Sequence, residues 1–543
     1  MKKNSFFRRM AVWIGAGALS LLSFNALTAA NPFLPLWEHI PDGEPYVFED
    51  PDHPGKYRVY VYGSHDSLRK DYCGREQVLW SAPVDDLNNW RYEGIIFESK
   101  TDANGQLLNP DGIGDVLFAP DIMEVTGKDG KKTYYLYPNN QSEGRKTMIA
   151  KADRPDGPFK ACNWDADQPT KTVGVFGFDP AAFIDDDGRV YGYWGYQESW
   201  GAELDPQTMA TVKPGTEAIK DLVPNMNQPG DSRFFEASSM RKIQDKYVFI
   251  YSRWTKDGEF GLPGTNYTLA YAYSDSPLGP FTYGGTIIDG RGRDTDPTGK
   301  TIWTANPSGN THGSIVEING QWYVFYHRQS GTNEFSRQAM VAPIEVKVTP
   351  GKGGKVEISE AEYTSEGFET DGLNPYKVYP AGITCYYTSP EPSRHGWPNY
   401  TFPGSYVQAT YLDGRTYENP YDLSVNMNPV INNTDGSVVG YKYYNFDRLH
   451  PDKAVGLKLQ LVPEGIDGTI EVMIDSPWEA KGGVKVGSLK LAADEPSAAT
   501  DKVIPLSKIQ GLQGKHALFL RFSSPTAGKS LCKLHQLSFV DLP

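Results

Sequence analysis

Residues 177–195, GFDPAAFIDDDGRVYGYWG, contain the unit from which the fold can be predicted. An acidic residue precedes a short apolar segment, an Asp-Gly turn follows, and the chain returns as an aromatic strand. Similar aromatic strands follow polar turns at four other places. The five strands are YVY at 60–62, YLY at 135–137, YGY at 191–193, YVF at 247–249 and YVF at 323–325. Two further segments also match each other, ADRPDGPF at 152–159 and SDSPLGPF at 274–281.

These repeats predict an all-β fold. More short strands lie between the aromatic ones, and few segments show a helical period, so each unit amounts to a sheet of about four strands. Sheets repeated at this period are typical of propeller blades. The sequence therefore predicts a five-bladed β-propeller over residues 31–350, with a tandem of β-sandwiches as the alternative.

The repeat stops after residue 350. The turn-rich stretch PGKGG at 350–354 opens a segment, 351–372, that we expect to be a linker packing a last strand onto the propeller. Residues 373–543 contain alternating apolar and polar segments at 457–462, 469–474 and 516–522, broken by Gly and Pro. This pattern predicts a β-sandwich (jelly-roll) domain.

Residues 1–30 have the pattern of a signal peptide. A basic start is followed by an apolar run at 10–22 and by small residues at 28–30. The run is short for a membrane span, and no Cys near the cleavage point would carry a lipid. We therefore expect a secreted or periplasmic protein, with a retained membrane anchor as the alternative. No other segment is predicted to be transmembrane.

The amino-acid composition excludes several classes of protein. Of the 543 residues, 39% are hydrophobic and 22% charged, which is typical of a globular chain. The net charge of -14 argues against nucleic acid as a partner. The four Cys are too few for a disulfide scaffold and show no CxxC metal pattern. Aromatic residues make up 13%, which suits both aromatic strands and the binding of sugar faces.

One polar residue stands a little before each aromatic strand. In a propeller the innermost strands line the axis, so these side chains would converge on one funnel. Packing several carboxylates together destabilises a fold, so such a cluster indicates a functional site. Repulsion between the carboxylates also raises the pKa of at least one of them, and a general acid needs a raised pKa. Two carboxylates flanking a bond are the apparatus of glycoside hydrolysis. The five residues are Glu44, Asp121, Asp179, Glu236 and His312. Taken singly, each could instead have an ordinary role as a turn, strand-edge or core residue.

Around these residues the chain resembles glycoside hydrolase family 43. The resemblance covers residues 31–345 and rests on the order and spacing of several short motifs. These motifs are APDI at 119–122, FDPA at 178–181 with IDDDG at 184–188, FEAS at 235–238, and HG at 312–313 with QWY at 321–323. The resemblance implies an inverting enzyme acting on arabinose-, xylose- or galactose-containing glycans.

The resemblance also implies roles for individual residues. Glu236 matches the general acid, and Asp121 matches the carboxylate that tunes the pKa of the acid and orients it. His312 matches an axial histidine that helps to hold a hydrated calcium ion. The base is less regular, because DGEP at 42–45 stands where the family shows Asp-Pro. Glu44 is favoured by its neighbouring proline, and Asp42, two residues earlier on the same face, is the alternative.

Other residues are expected to line the site or support it. We interpret Asp179 as a substrate-binding or supporting acid, His65 and Asp66 as pocket or loop residues, and Trp194 as a sugar platform or a core residue. The last block resembles family 6 carbohydrate-binding modules in the segments at 468–472, 486–489 and 514–520. Such modules bind structural calcium and in some cases glycan.

The sequence thus predicts an exported glycosidase that removes side chains of plant-type polysaccharides, of the α-L-arabinofuranosidase or β-xylosidase type, without an organic cofactor. Galactofuranosidase or galactanase activity is an alternative on the same fold. A retaining fructan hydrolase would need an Asp nucleophile on the first blade. A non-catalytic glycan-binding protein and a structural surface protein are alternatives of other classes.

Overall fold

The computed structural model describes residues 30–230, 232–412, 417 and 419–543. The signal-peptide prediction therefore lies outside the described residues, apart from Ala30. The described chain is all-β, as predicted. Its helical structure is confined to single 3₁₀ turns at Glu259–Gly261, Ala381–Ile383, Phe446–Arg448 and Glu479–Lys481.

Each predicted aromatic strand is the second strand of an antiparallel sheet. The first three sheets have four strands each, hydrogen-bonded in chain order. Their strands are β1 Glu44–Glu49, β2 Tyr57–Tyr62, β3 Glu76–Pro83 and β4 Arg91–Glu98; β5 Asp121–Thr126, β6 Lys132–Tyr137, β7 Ala150–Ala152 and β8 Lys160–Ala161; and β9 Ala181–Ile184, β10 Val190–Gly195, β11 Ser199–Leu204 and β12 Ile219–Lys220.

The next two large sheets complete the first part of the chain. The fourth has four strands, β13 Phe234–Ile243, β14 Lys246–Arg253, β15 Thr268–Ser274 and β16 Thr282–Asp289. A hairpin of β17 Arg293–Thr295 and β18 Thr301–Trp303 follows. The fifth sheet has only three strands, β19 Ser314–Ile318, β20 Gln321–Gln329 and β21 Arg337–Ile344, because β22 Val346–Val348 pairs with β23 Val356–Ile358 instead.

The first strands of the five large sheets adjoin one another. Strand β1 lies against β19, β5 against β9, and β9 against β13. Hydrogen bonds link the remaining neighbours, from Tyr46 Oη on β1 to Asp121 on β5 and between the hydroxyls of Ser239 on β13 and Ser314 on β19. The first strands therefore follow one another in chain order, and the fifth adjoins the first.

Tight turns connect these strands where the sequence predicts them. Asn319 and Gly320 form the two-residue loop between β19 and β20, with φ angles of 51° and 83°. Two successive residues with positive φ make a turn whose twist matches that of the flanking strands, and Asn-Gly is its preferred sequence.

The remaining chain forms two larger sheets and a hairpin. The six-stranded sheet has the order β28-β29-β36-β31-β34, with β24 pairing β36, and the five-stranded sheet has the order β25-β30-β35-β32-β33. The hairpin is β26-β27. Their strands are β24 Tyr379–Pro380, β25 Tyr386–Thr388, β26 Arg394–Gly396, β27 Asn399–Thr401, β28 Tyr406–Val407, β29 Val430–Ile431, β30 Val438–Asn445, β31 Val455–Pro463, β32 Gly468–Ile474, β33 Val484–Leu491, β34 Thr500–Pro505, β35 Lys515–Ser523 and β36 Cys532–Asp541.

One apolar core runs from the fourth and fifth sheets into the two C-terminal sheets. The fully buried Arg328 on β20 crosses this boundary and donates to the backbone oxygens of Gly382 and Thr384, the latter at 2.7 Å. The N-terminal segment is fastened to the same region, since the Leu36 carbonyl accepts from Asn428 Nδ2 at 2.9 Å and from Gln338 Nε2 at 2.6 Å. The two parts of the chain are therefore packed as one body.

All four cysteines are free, and three of them are buried. In the part of the chain that the structure describes, no helix has the length and apolar character needed to cross a membrane.

Candidate active site

A cavity of about 520 Å³ opens where the first strands of the five sheets begin. Four of the residues named from the sequence line it, namely Asp42, Asp179, Glu236 and His312. Glu44 and Asp121 do not. The acids predicted to share one funnel therefore lie at two depths.

Strand pairing explains the two depths. Glu44, Asp121, Ala181 and Ser314 are all first residues of their strands, and they pair with the third residue of the aromatic triplets, Tyr62, Tyr137, Tyr193 and Phe325. We call these four residues the paired layer. The residues two positions earlier are Asp42, Ala119, Asp179 and His312, and each lines the cavity. With Glu236 they form what we call the cavity layer. Two residues of extended chain span about 6.6 Å, which is enough to separate the layers.

Asp42 is held as an ionised carboxylate. Its oxygens accept from Arg337 Nη1 at 3.1 and 3.3 Å and from the hydroxyl of Ser64. Burial alone would raise its pKa, but Arg337, followed by His327 and His312, holds the pKa below the ordinary value. Its backbone N–H donates to His327 Nδ1 at 3.2 Å. An ionised carboxylate facing a cavity can accept a proton from water.

The pKa of Glu236 is shifted in the opposite direction to that of Asp42. Its side chain is buried at the cavity wall, and burial together with the negative charge of Asp179 raises its pKa well above the ordinary value. It stands in β13 at a bulge, beside Ala237, whose φ is 68°. A carboxyl that remains protonated near neutral pH can donate its proton to a leaving oxygen.

Asp179 is fixed beside the acid. It accepts from Asn139 Nδ2 at 2.8 Å and from the backbone N–H of Ala237 at 2.8 Å, and it lies 3.5 Å from His312 Nδ1. Asp42, Asn139, Asp179 and Ala237 all have φ between 50° and 68°. Such left-handed backbone is costly for residues other than glycine, and it concentrates at functional sites.

Glu44 and Asp121 belong to an ion-pair network in the paired layer. Glu44 accepts from Arg241 Nη2 at 2.8 Å and from Ser239 Oγ at 3.2 Å. Asp121 accepts from Tyr46 Oη and from the Ala182 N–H, both at 2.8 Å. Burial and the nearby Glu44 raise the pKa of Asp121 to about 7. Both residues thus lie at the strand starts, and neither lines the cavity.

The other predicted residues lie outside the cavity lining. His65 bridges Glu38 and Glu76, and Asp66 binds the guanidinium of Arg337 at 2.8 and 2.9 Å. Trp194 is buried in the core, where it packs against Phe176 and Trp200. This packing agrees with the core alternative for Trp194 and not with a sugar platform. The ring that reaches the cavity belongs to Tyr196, two residues further on.

An aromatic wall surrounds the acid. Successive rings are in contact, with centroids 5.3 to 5.7 Å apart. The rings belong to Phe118, Phe178, Tyr196, Phe235 and Trp254. Rings at the wall of a wet cavity present flat apolar faces, and such faces suit the C–H faces of sugars better than they suit charged ligands.

Several lining residues were not predicted from the sequence. They are Tyr72, Trp254, Glu334, Arg337, His395 and Trp397. The repeat could not identify Arg337, because this residue enters the site from β21 and the repeat locates only residues at the first strands. His395 and Trp397 come from the β26-β27 hairpin of the C-terminal part, which the sequence assigned to a separate domain. An alignment on the aromatic residues Phe118, Phe178 and Phe235, each one position before the cavity layer, would have placed Ala119 rather than Asp121 in that layer.

The expectation that His312 helps to hold a hydrated calcium ion, through water, stays a prediction. Calcium takes six to eight oxygen ligands. Near His312 Nε2 lies Glu44 Oε1, at 4.0 Å, a buried oxygen without a hydrogen-bond partner. Burial would lower the pKa of His312, but Asp179 raises it to about 9. Within the described residues, no group of three or more His, Cys, Asp or Glu is arranged to hold a metal.

Two carboxyl groups whose pKa values are shifted in opposite directions, in a cavity walled by aromatic rings, suit the hydrolysis of glycosidic bonds. The chain belongs to glycosyl hydrolases family 43, whose family model matches residues 43–348, and it is a glycosidase. The family resemblance seen in the sequence is thereby confirmed.

Individual relatives cover much of the chain. A xylosidase/arabinosidase of Thermoclostridium stercorarium is 34% identical over 460 residues, which is 80% of this chain and 86% of the relative. Among solved structures, a family 43 arabinoxylan arabinofuranohydrolase from Bacillus subtilis in complex with cellotetraose is 22% identical, with a TM-score of 0.43, covering 95% of this chain and 100% of that one. A family 43 beta-xylosidase/alpha-arabinofuranosidase from a compost microbial metagenome, with xylotriose and in a calcium-free form, is 25% identical, with a TM-score of 0.40, covering 60% of this chain and 96% of that one.

Proposed function

We propose that the protein is an exported, inverting glycoside hydrolase of the α-L-arabinofuranosidase/β-xylosidase type. Glu236 is the general acid, Asp42 is the general base, and Asp179 tunes the pKa of the acid. The observation that carries the proposal is that Glu236 and Asp42, whose pKa values are shifted in opposite directions, line one cavity. Export is supported by the pattern of residues 1–30.

The reaction follows from these opposite pKa shifts. Glu236 donates its proton to the glycosidic oxygen as the bond to the anomeric carbon breaks. Asp42 takes a proton from a water molecule, whose oxygen attacks the anomeric carbon from the opposite face. The negative charge of Asp179 raises the pKa of Glu236, so Glu236 holds its proton until the glycosidic bond breaks and the leaving oxygen becomes basic enough to accept it. After the reaction, the proton on Asp42 returns to Glu236 through solvent.

This assignment departs from the sequence-based roles at two residues. Asp42 replaces Glu44 as the base, because Asp42 lines the cavity while Glu44 is bonded to Arg241 below it. Asp179 replaces Asp121 as the tuning carboxylate, because the charge of Asp179 raises the pKa of Glu236.

The architecture that we propose is a five-bladed propeller of the five large sheets, followed by a β-sandwich of the two C-terminal sheets. Its support is the order of the first strands, in which the fifth adjoins the first. The proposed domain bounds stay at 31–350, with a packing segment at 351–372, and 373–543.

The substrate class is supported by the relatives. The Thermoclostridium stercorarium protein is named a xylosidase/arabinosidase, at 34% identity. We propose side chains of plant-type polysaccharides as the natural substrate, with arabinofuranose as the first sugar to test and xylose as the second.

The test compares carboxylates of the two layers. We expect Glu236→Gln and Asp42→Asn to reduce turnover of aryl arabinofuranosides and xylosides by about 10²–10⁴-fold, the usual contribution of general acid–base catalysis. Asp121→Asn, the matched control one layer below, should stay within tenfold of the wild type. If Asp121→Asn is as damaged as Asp42→Asn while both fold, the layer assignment is wrong.

Proton NMR of the first-formed sugar tests the stereochemistry. Inversion gives the anomer opposite to that of the substrate before mutarotation mixes the two. A retained anomer would favour the fructan-hydrolase type of mechanism. Tight glycan binding by the wild type without any sugar release would favour the non-catalytic alternative.

A further inference from the structure

The C-terminal part of the chain reaches into the cavity of the catalytic part. Hairpin β26-β27 extends away from the two C-terminal sheets, and its residues His395 and Trp397 line the same cavity as Asp42 and Glu236. The site is therefore built from both parts of the chain.

The hairpin is fastened at this position by backbone contacts. Asn399 forms an antiparallel bridge with Asn333, and the Glu334 N–H donates to the Pro398 carbonyl at 3.0 Å. Tyr400, a buried residue, donates its backbone N–H to Thr332 at 2.8 Å and its hydroxyl to the Ser308 carbonyl at 2.8 Å. These contacts hold the hairpin tip at the cavity mouth.

Side chains at the tip join the hairpin to the cavity wall. The Tyr72 hydroxyl and His395 Nε2 both contact the carboxylate of Glu334. Trp397 Nε1 donates to the same Tyr72 hydroxyl at 3.4 Å. The Tyr72 ring lies 5.0 Å from the Arg337 guanidinium, which in turn binds Asp42. Trp397 is thus connected through two residues to the proposed base.

Trp397 is nevertheless 70% exposed, the highest value among the large hydrophobic residues that the structure describes. A tryptophan that served only to cover Tyr72 would bury its faces, because burial is the source of its stabilising effect. Here the indole N–H donates to the Tyr72 hydroxyl while most of the side chain remains exposed to solvent. This is the arrangement of a platform that waits for a flat apolar surface.

From this geometry we propose that Trp397 is a sugar-binding platform at the mouth of the cavity, and that it stacks on a residue of the oligosaccharide beyond the one that is cleaved. The inference rests on the proposed function and deepens it, since it makes the C-terminal part a component of the substrate site. The ligand class is a neutral oligosaccharide of a plant-type polysaccharide.

The experiment uses two substrates that differ in reach. A glycosyl fluoride of the preferred sugar has a one-atom leaving group, which cannot contact Trp397. An arabinose-decorated xylo-oligosaccharide extends beyond the cleaved residue. We expect Trp397→Ala in the full chain to lower kcat/KM for the oligosaccharide by about five- to tenfold, the effect of one lost aromatic contact. The loss should reside in KM, while kcat/KM for the fluoride stays within twofold.

Two variants control for folding. Trp397→Phe keeps an aromatic face and should recover most of the oligosaccharide activity. Arg394→Ala removes an exposed side chain of the same hairpin that does not line the cavity, and should match the wild type. If Trp397→Ala lowers both substrates by the same factor, or lowers neither, the platform role is refuted.

A binding measurement separates this inference from the proposed function. Calorimetry with the decorated xylo-oligosaccharide is performed on the Glu236→Gln protein, with and without Trp397→Ala. We expect about five- to tenfold weaker binding when Trp397 is absent. A wild type that hydrolyses neither substrate would reject the proposed function, yet this binding difference would still support the platform. Equal binding by the two proteins, or no binding by either, would reject the platform.

Discussion

The Arg337 guanidinium sets the charge state of the proposed base, so replacing it should move the pH dependence of the enzyme in a defined direction. Arg337 lies 3.1 Å from Asp42 Oδ1. At an effective dielectric constant of about 20, two unit charges at this distance interact by about 5 kcal/mol. At 1.36 kcal/mol per pKa unit, this corresponds to about 4 units. Water entering the vacated space reduces the effect, so we expect the pKa of Asp42 to rise by about 1–3 units in Arg337→Met.

Replacing Arg337 shifts the pH profile towards higher pH. The base must be ionised, so activity is lost as the pH falls through the pKa of Asp42, and the acidic limb of the kcat/KM profile reports that pKa. Arg337 also lowers the pKa of Glu236, although less than burial and Asp179 raise it. Removing Arg337 therefore moves both the acidic and the basic limb of the bell-shaped pH profile to higher pH.

The assay is kcat/KM against pH on an aryl glycoside, measured well below the melting temperature of each variant. The low temperature matters because Arg337→Met leaves two buried carboxylates, Asp42 and Asp66, without their cation. Breaking a buried ion pair costs about 3–5 kcal/mol. Arg337→Lys keeps the positive charge and should shift the acidic limb by less than one unit. An acidic limb that stays in place in a folded Arg337→Met protein would refute Asp42 as the base.

Three further outcomes are expected. Asp42→Gly should regain turnover with added azide, which attacks in place of activated water, and the product analysed by NMR should be a glycosyl azide of inverted configuration. Asp121→Asn should gain stability relative to the wild type as the pH rises through about 7, measured by urea unfolding at pH 5 and pH 8. The raised pKa of Asp121 contributes stability at low pH that is lost as the carboxyl ionises. Arg328→Met should lower the free energy of unfolding by about 2–6 kcal/mol, because the carbonyls of Gly382 and Thr384 lose their donor.

The strand arrangement of the catalytic part could be predicted because it depends on local sequence. Each aromatic triplet became the second strand of a sheet, and Asn319-Gly320 formed the expected hairpin turn. Apolar alternation and turn residues act within a few positions of one another, so a repeat makes them visible.

The depth of each acid could not be predicted with the same success. The prediction aligned the first blade on Pro45 and therefore favoured Glu44. In the structure, the pairing of β1 with β2 places Glu44 opposite Tyr62 and leaves Asp42 in the cavity layer. One position along a strand reverses the face of a side chain, and two positions change its depth, so the register had to be known to within a residue.

Local sequence patterns also could not identify the site residues that come from elements other than the first strands. Glu334 lies between β20 and β21, Arg337 begins β21, and Trp397 lies between β26 and β27. No repeat marks these three residues. The position of Trp397 depends on how the β26-β27 hairpin contacts the loop between β20 and β21. That contact is a tertiary property, which single-sequence patterns do not encode.

The fastening of Leu36 has a consequence for how the protein is made. The carbonyl of Leu36 accepts from Asn428, 392 positions later in the chain. During synthesis the first stretch of the folded protein therefore emerges long before its partners exist, and contacts so distant in sequence are slow to form. The early segment first finds partners in the fifth sheet, where Gln338 donates to Leu36, and a chain that ended after this sheet would lack the second donor to the Leu36 carbonyl, Asn428.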